Sequence, residues 1–182
     1  MKNFLFLLLV SFPLWGLGGC NKNDDNPKNP IDQLPPATQT GEQTFGCLIN
    51  GEAFLPDTFG SGRPNAFYQF VDGTYTLGIS ASYRGGEHLE SFNIGGLDIP
   101  PIQETTYTLL EFESGNFFGE YFLGGGIVFM GSTSIDFPGV ITITNFDPEN
   151  FIISGTFEFT VLDNDNNEIN ITDGRFDLKY TN

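Results

Sequence analysis

The chain has 182 residues, with 23 acidic side chains against 7 basic ones and a net charge of −16, a balance that repels phosphate backbones and excludes nucleic-acid binding. A single histidine leaves no imidazole pair for a transition metal. With 39% hydrophobic residues and 20 Phe, the chain carries enough apolar surface to bury a core, unlike a disordered acidic tail.

Residues 1–19 read as a secretory signal: Lys2 supplies the positive start, and the apolar run from Phe4 to Leu17 is short and broken by Ser11, Pro13 and Gly16. The run ends in Leu17-Gly18-Gly19-Cys20, which resembles a bacterial lipobox. That resemblance implies cleavage before Cys20 and diacylation of its thiol, and two acyl chains anchor a protein stably. Cleavage removes Lys2 and takes the charge to −17. It also removes Trp15, the single Trp, while sparing 17 of the 20 Phe. With Cys20 lipidated, Cys47 has no partner for an intramolecular disulfide.

Residues 20–43 read as the lipidated cysteine followed by a flexible Pro/Asn-rich linker, with Pro27, Pro30, Pro35 and Pro36. Such a tether reaches about 25 Å as a coil and roughly 70 Å as extended polyproline. Within it, Lys22, Asp24 and Asp25 resemble the short Lys/acidic export signal of surface lipoproteins in Bacteroidetes-type bacteria. The alternative is a solvated charge run. The location expected is lipid anchorage in the outer membrane, at the cell surface or on the periplasmic face.

Residues 44–182 read as one all-β domain, an antiparallel sandwich or barrel of about ten strands. Apolar residues alternate at Tyr75, Leu77, Ile79, Ala81 and Tyr83, and again from Phe151 through Phe157 and Phe159 to Val161. Phe176, Leu178 and Tyr180 share a core face, which leaves Asp177 and Lys179 to water. Asn50-Gly51, Asp72-Gly73 and Asp173-Gly174 are candidate turns with positive φ, the last dividing strands near 167–172 and 175–181. Asp147-Pro148-Glu149-Asn150 is a turn in which Asp147 accepts free N–H groups. The spacing does not choose between sandwich and barrel.

Two runs at the domain's start, Pro35 to Gly41 and Thr44-Phe45-Gly46-Cys47-Leu48-Ile49-Asn50-Gly51, and two near its end, Ile153 to Phe159 and Ile171 to Asp177, are similar to an uncharacterised lipoprotein domain family of Bacteroidetes-type bacteria. The resemblance implies location and fold class, and it carries no activity.

Catalytic constellations are sparse. His88 is the lone imidazole, and Gly60-Ser61-Gly62 lacks the strand–turn–helix context of a nucleophile elbow. Cys47 alternates with Phe45 and Ile49 and reads as an inward apolar residue. Glu111 and Glu113 share a strand face, as the paired carboxylates of a glycosidase would, but sequence carries no cleft geometry. Gly124-Gly125-Gly126 has no following lysine to make a phosphate cradle. Asp163, Asp165 and Asn167 place oxygens at alternate positions like the opening of a calcium loop, without the turn Gly and bidentate Glu of an EF-hand; the competing reading is a polar hairpin loop. No other cofactor is expected.

The densest aromatic run, Phe117, Phe118, Tyr121 and Phe122, must show rings on both faces of its strand. It is either covered on both sides or a ligand or partner surface. Tyr68, Tyr83, Tyr107 and Tyr121 are further candidates for a glycan platform. Together these features lead to the expectation of a non-enzymatic envelope lipoprotein that binds an unknown envelope protein, glycan or apolar ligand. The alternatives are a carrier with a Phe-lined barrel cavity and a polysaccharide hydrolase.

Overall fold

The computed structural model describes residues 29–86, 88–125 and 128–182. The signal segment, Cys20, Lys22, Asp24 and Asp25 lie outside the described residues. Eleven strands form among the described residues: β1 Thr44–Ile49, β2 Glu52–Phe54, β3 Asn65–Val71, β4 Thr74–Gly85, β5 His88–Ile99, β6 Thr106–Leu110, β7 Phe117–Gly124, β8 Phe129–Ser132, β9 Gly139–Asp147, β10 Ile152–Leu162 and β11 Glu168–Thr181. The fold is all-β, as the alternation predicts.

The pairing order β10-β9-β6-β7-β5-β4-β3-β11, together with the β10–β11 ladder, closes a ring of eight strands. β1–β2 and β8 continue the sheet beyond the ring, on β11 and β7. Most pairs are antiparallel. The ring closes through two short parallel contacts, Tyr180 and Thr181 with Ala66 and Phe67, and Leu109 and Leu110 with Phe117 and Phe118. The architecture is therefore one mixed sheet that closes on itself as a barrel, one of the two alternatives the spacing leaves open.

The interior is filled by the inward half of the alternation. Leu77, Ile79 and Ala81 of β4, Phe92 and Ile94 of β5, and Phe157, Phe159 and Val161 of β10 are all buried. Rings from different strands touch: Phe92 packs on Phe45 at 5.7 Å, on Phe54 at 4.8 Å and on Phe157 at 6.4 Å between centroids. The phenylalanines that the carrier alternative would set around a cavity pack on one another instead. Contacts of this kind add about 0.5–1.5 kcal/mol per aromatic pair beyond simple burial.

The turns follow their chemistry with one exception. Asn50-Gly51 and Asp72-Gly73 have φ of 50° and 85°, and of 51° and 95°, the positive values that two-residue hairpins require. The Asp147 carboxylate accepts from the amides of Glu149 at 2.9 Å and Asn150 at 3.0 Å. Asp173-Gly174 differs: Asp173 has φ 52°, yet β11 runs through it unbroken. The ladder to β10 skips between Phe157 and Phe159, and the ladder to β1 skips between Gly46 and Leu48. A bulge and a turn demand the same backbone at one residue. Here β10 and β1 hold the strand on both edges, so the positive φ makes a bulge and the two expected strands are one.

The linker's second half is docked, not free. Pro30–Gln33 form a 3-10 turn, Leu34 is buried, and Pro35 lies so close over Gly46 that an added Cβ would sit 2.8 Å from it. Residues 38–42 then cross Asp177. Its Oδ2 accepts from Thr38 Oγ1 at 2.7 Å and from the amides of Thr40 at 3.0 Å and Glu42 at 3.1 Å. Its Oδ1 accepts from the Gly41 amide at 2.8 Å and Ser154 Oγ at 2.7 Å. Asp177 and Ser154 do point away from the core, as the alternation predicts, but they are buried beneath this strap and not solvated. Burial raises the acid's pKa, and five donors more than offset it, holding the carboxyl down at about 2. Period-2 patterning reports which face a residue occupies. It carries no information about a distant segment lying over that face.

Candidate functional site

At the barrel end that carries the 72–73 and 147–150 turns, six aromatic side chains surround an open cleft of about 500 Å3. Tyr68 and Phe70 come from β3, Tyr75 from β4, Phe146 from β9, Phe151 from the turn before β10, and Tyr180 from β11. Tyr68 and Tyr180 are buried with the core, Tyr75 and Phe146 are half-buried against it, and Phe70 and Phe151 are exposed. The rings gather at the rim.

Their geometry is ordered. Tyr68 and Tyr75 stack at 4.8 Å with planes 6° apart, and Phe146 and Tyr180 stack at 5.6 Å with planes 15° apart. The two stacks meet at right angles: Tyr68 stands 82° to Phe146 and 89° to Tyr180. Phe70, 64% exposed, leans on Tyr75, and Phe151, 41% exposed, meets Tyr180 edge-on. Pro101, Ile102 and Pro148 complete the apolar wall. Tyr68 is fixed from beneath, because its hydroxyl accepts from the Ile102 amide at 3.1 Å. Burial raises the pKa of Tyr68 and of Tyr180, and the nearby Asp147 charge raises Tyr180 further. Both phenols therefore stay neutral at physiological pH.

A second groove of about 480 Å3 lies beside the strap and includes Pro35, Leu55, Asp57 and Arg63. It carries charges of both signs and one aromatic ring, Phe45, which belongs to the core. The aromatic cleft is the more specialised surface, since six rings line it against one in the groove.

No protein-family model, curated protein or solved structure matches this chain. The functional reading therefore rests on geometry.

The structure does not bring Phe117, Phe118, Tyr121 and Phe122 to one surface. Phe117 and Tyr121 face the core; Phe117 stacks on Tyr107 at 4.2 Å, and Tyr121 donates to Glu90 at 3.1 Å. Phe118 is buried on the other face beneath Phe112, 4.5 Å away. Phe122 is half-buried on that same face, beside Met130. The strand is covered on both sides over most of its length, the bland half of the sequence expectation. Of the four tyrosines weighed as a platform, Tyr68 alone lines the cleft.

The Asp163–Asn167 loop closes on itself. Asp163 Oδ1 accepts from the amides of Asp165 and Asn167, both at 2.8 Å, and Oδ2 accepts from Asn167 Nδ2 at 3.0 Å. The Asn167 side chain thus turns a nitrogen toward Asp163, where a calcium site would need its oxygen. Hydrogen bonds from Asn167 hold the Asp163 carboxyl below the usual range. Among the described residues, no three His, Cys, Asp or Glu side chains converge. Cys47 is fully buried, and burial pushes its thiol far above the ordinary range, with the Glu90 charge adding to the effect. His88 is exposed at the start of β5.

Proposed function

We propose that this protein is a lipid-anchored envelope lipoprotein whose β domain is a non-catalytic binding module, and that the Tyr68–Tyr75–Phe146–Tyr180 cleft is its binding site. The observation that carries the reading is the rim itself: two perpendicular ring stacks, with exposed Phe70 and Phe151, around an open cleft. Ligand sites of this size are concave and combine apolar and aromatic walls with fixed polar groups.

The anchor bears on how the module works. With lipid on Cys20 and the strap docked from Pro30 onward, ten residues separate membrane from domain, an upper reach of about 35 Å. The full linker would allow roughly twice that. The domain is then held near its membrane in a limited range of orientations. Labelled palmitate that enters the wild-type protein and is absent from Cys20→Ser tests the anchor. Protease shaving of intact cells, compared with Lys22→Ala/Asp24→Ala/Asp25→Ala, tests the surface location; equal protection of both proteins removes it.

The binding reading is tested by NMR of ring resonances against a small library of neutral saccharides, apolar fragments and organic cations. Binding shifts Tyr75, Phe146 and Phe151 together. A library in which no compound moves these rings overturns the reading.

A further inference from the structure

We infer that the cleft recognises an organic cation of the quaternary-ammonium class. This rests on the cleft being the binding site and adds the chemistry of what it takes.

Four of the lining rings keep uncovered surface: Tyr75 and Phe146 are half-buried and Phe70 and Phe151 are exposed, while Tyr68 and Tyr180 are buried. Two stacked pairs set at right angles form a corner, with Phe70 and Phe151 on its open flanks. An aromatic face carries negative potential, and a cation held against several faces is attracted to all of them. The charges around the corner have the same sign. Asp147 lies between the lining residues Phe146 and Pro148, close enough to Tyr180 to raise its phenol pKa. Asp98 accepts from Thr74, next to Tyr75, at 3.0 Å, and Glu104 accepts from the Phe146 amide at 3.1 Å. No basic side chain lines the cleft. Lys179, adjacent to Tyr180, lies on the opposite face of β11 with its stem against Gly41. The Asp147 carboxylate is held ionised by the donors of its own turn, so the negative charge beside the rings persists at neutral pH.

The walls also select the type of cation. A primary ammonium is strongly hydrated and needs three acceptors when desolvated. This lining is six rings, two prolines and an isoleucine, and its polar side-chain groups are neutral: the tyrosine hydroxyls and Asn182. A methylated ammonium presents carbon to those walls, sheds little hydration and keeps its charge. An anion is repelled, and a neutral ligand of the same shape gains apolar burial alone.

The test compares choline with its neutral isostere, 3,3-dimethylbutan-1-ol, and with phosphocholine. The full-length protein is held in a detergent lacking an ammonium group, and binding is read from N-methyl or tert-butyl shifts and from the ring resonances. Choline should bind about tenfold more tightly than the isostere, and phosphocholine more weakly than choline because its phosphate meets the acidic rim. Phe70→Leu/Phe151→Leu keeps apolar bulk and removes two ring faces. It should weaken choline at least threefold more than it weakens the isostere, with an unaltered circular dichroism spectrum. Equal binding of choline and isostere, or choline binding indifferent to the double substitution, overturns the inference while leaving the cleft a binding site. Phosphocholine binding as tightly as choline overturns the role given to the carboxylates. If choline fails to move the rings, the cation inference falls, and the neutral library members decide the binding reading on their own.

Discussion

Asp177→Asn replaces one oxygen of a buried carboxylate by an amide and leaves its size unchanged. Five donors converge on that carboxylate, three on Oδ2 and two on Oδ1. The least costly orientation keeps oxygen toward Thr38, Thr40 and Glu42 and turns the NH2 toward Gly41 and Ser154. Ser154 can rotate and accept, but the Gly41 amide cannot, so one buried donor faces another. An unsatisfied buried donor costs about 1–3 kcal/mol, and the four surviving bonds lose their charge assistance. The expected loss is about 2–4 kcal/mol, which for a domain of this size lowers the melting temperature by roughly 5–15 °C. Titration gives a second route to the magnitude. The carboxyl pKa falls from 3.8 to about 2. At 1.36 kcal/mol per unit, discounted because the strap lies at the surface, that is about 1–2 kcal/mol. The depressed value fixes the sign: this stability is fully present above pH 4 and is lost as pH falls toward 2. Hydrogen exchange at the Thr40, Gly41 and Glu42 amides reads the strap directly. Exchange should accelerate in Asp177→Asn at neutral pH, and the wild type should approach the variant near pH 2. Unchanged protection of those three amides, with an unchanged melting point, would refute the anchoring role.

Gly155→Ala should destabilise the domain by about 2 kcal/mol or more, since its Cβ would press on the Thr142 carbonyl and lie 2.7 Å from the Phe176 ring. Gly73→Ala meets no atom and costs only about 1 kcal/mol, from its φ of 95°; thermal denaturation of the two variants should keep that order. Millimolar calcium should leave the melting temperature unchanged, because the Asp163 oxygens are occupied within their own loop. A rise in melting temperature abolished by Asp163→Ala/Asp165→Ala would restore the calcium site. Cys47 should resist thiol reagents in the folded protein and react on unfolding, since it is wholly buried with a raised pKa. Rapid labelling under native conditions would contradict its place in the core.

What was legible in the sequence was local. Alternation placed side chains correctly from Tyr75 to Ala81 and from Ile153 to Val161, because the period of a strand is a property of that strand alone, but Tyr83 and Phe151, at the ends of the same two runs, are exposed. The hairpins at Asn50-Gly51 and Asp72-Gly73 were legible for the same reason. The single strand through Asp173-Gly174 was not, since its outcome depends on two neighbouring strands. Nor were the closure of the ring through Tyr180 and Leu109, and the burial of Asp177 by a segment more than 130 residues earlier.

The cleft lies between these cases. Its walls come from β3, β4, β9, β11 and the turn before β10, and no single window contains them. Yet each ring sits where an alternating run meets a turn or the chain's last strand end. Phe70 and Tyr75 flank Val71 to Thr74, and Phe146 and Phe151 flank Asp147 to Asn150. The 72–73 and 147–150 turns share one end of the barrel. An aromatic on the inward face beside a turn has little core left to fill, and several such residues at one end must meet one another. The run from Phe117 to Phe122 is the densest because its aromatics are adjacent, and adjacency in a strand sends rings to opposite faces. A shared face needs even spacing, and a shared rim needs turns at the same end. By that criterion Tyr68, Phe70, Tyr75 and Phe151 form the stronger signal, whereas Phe146 reaches the same face through the register shift beside Thr144, which even spacing does not reveal.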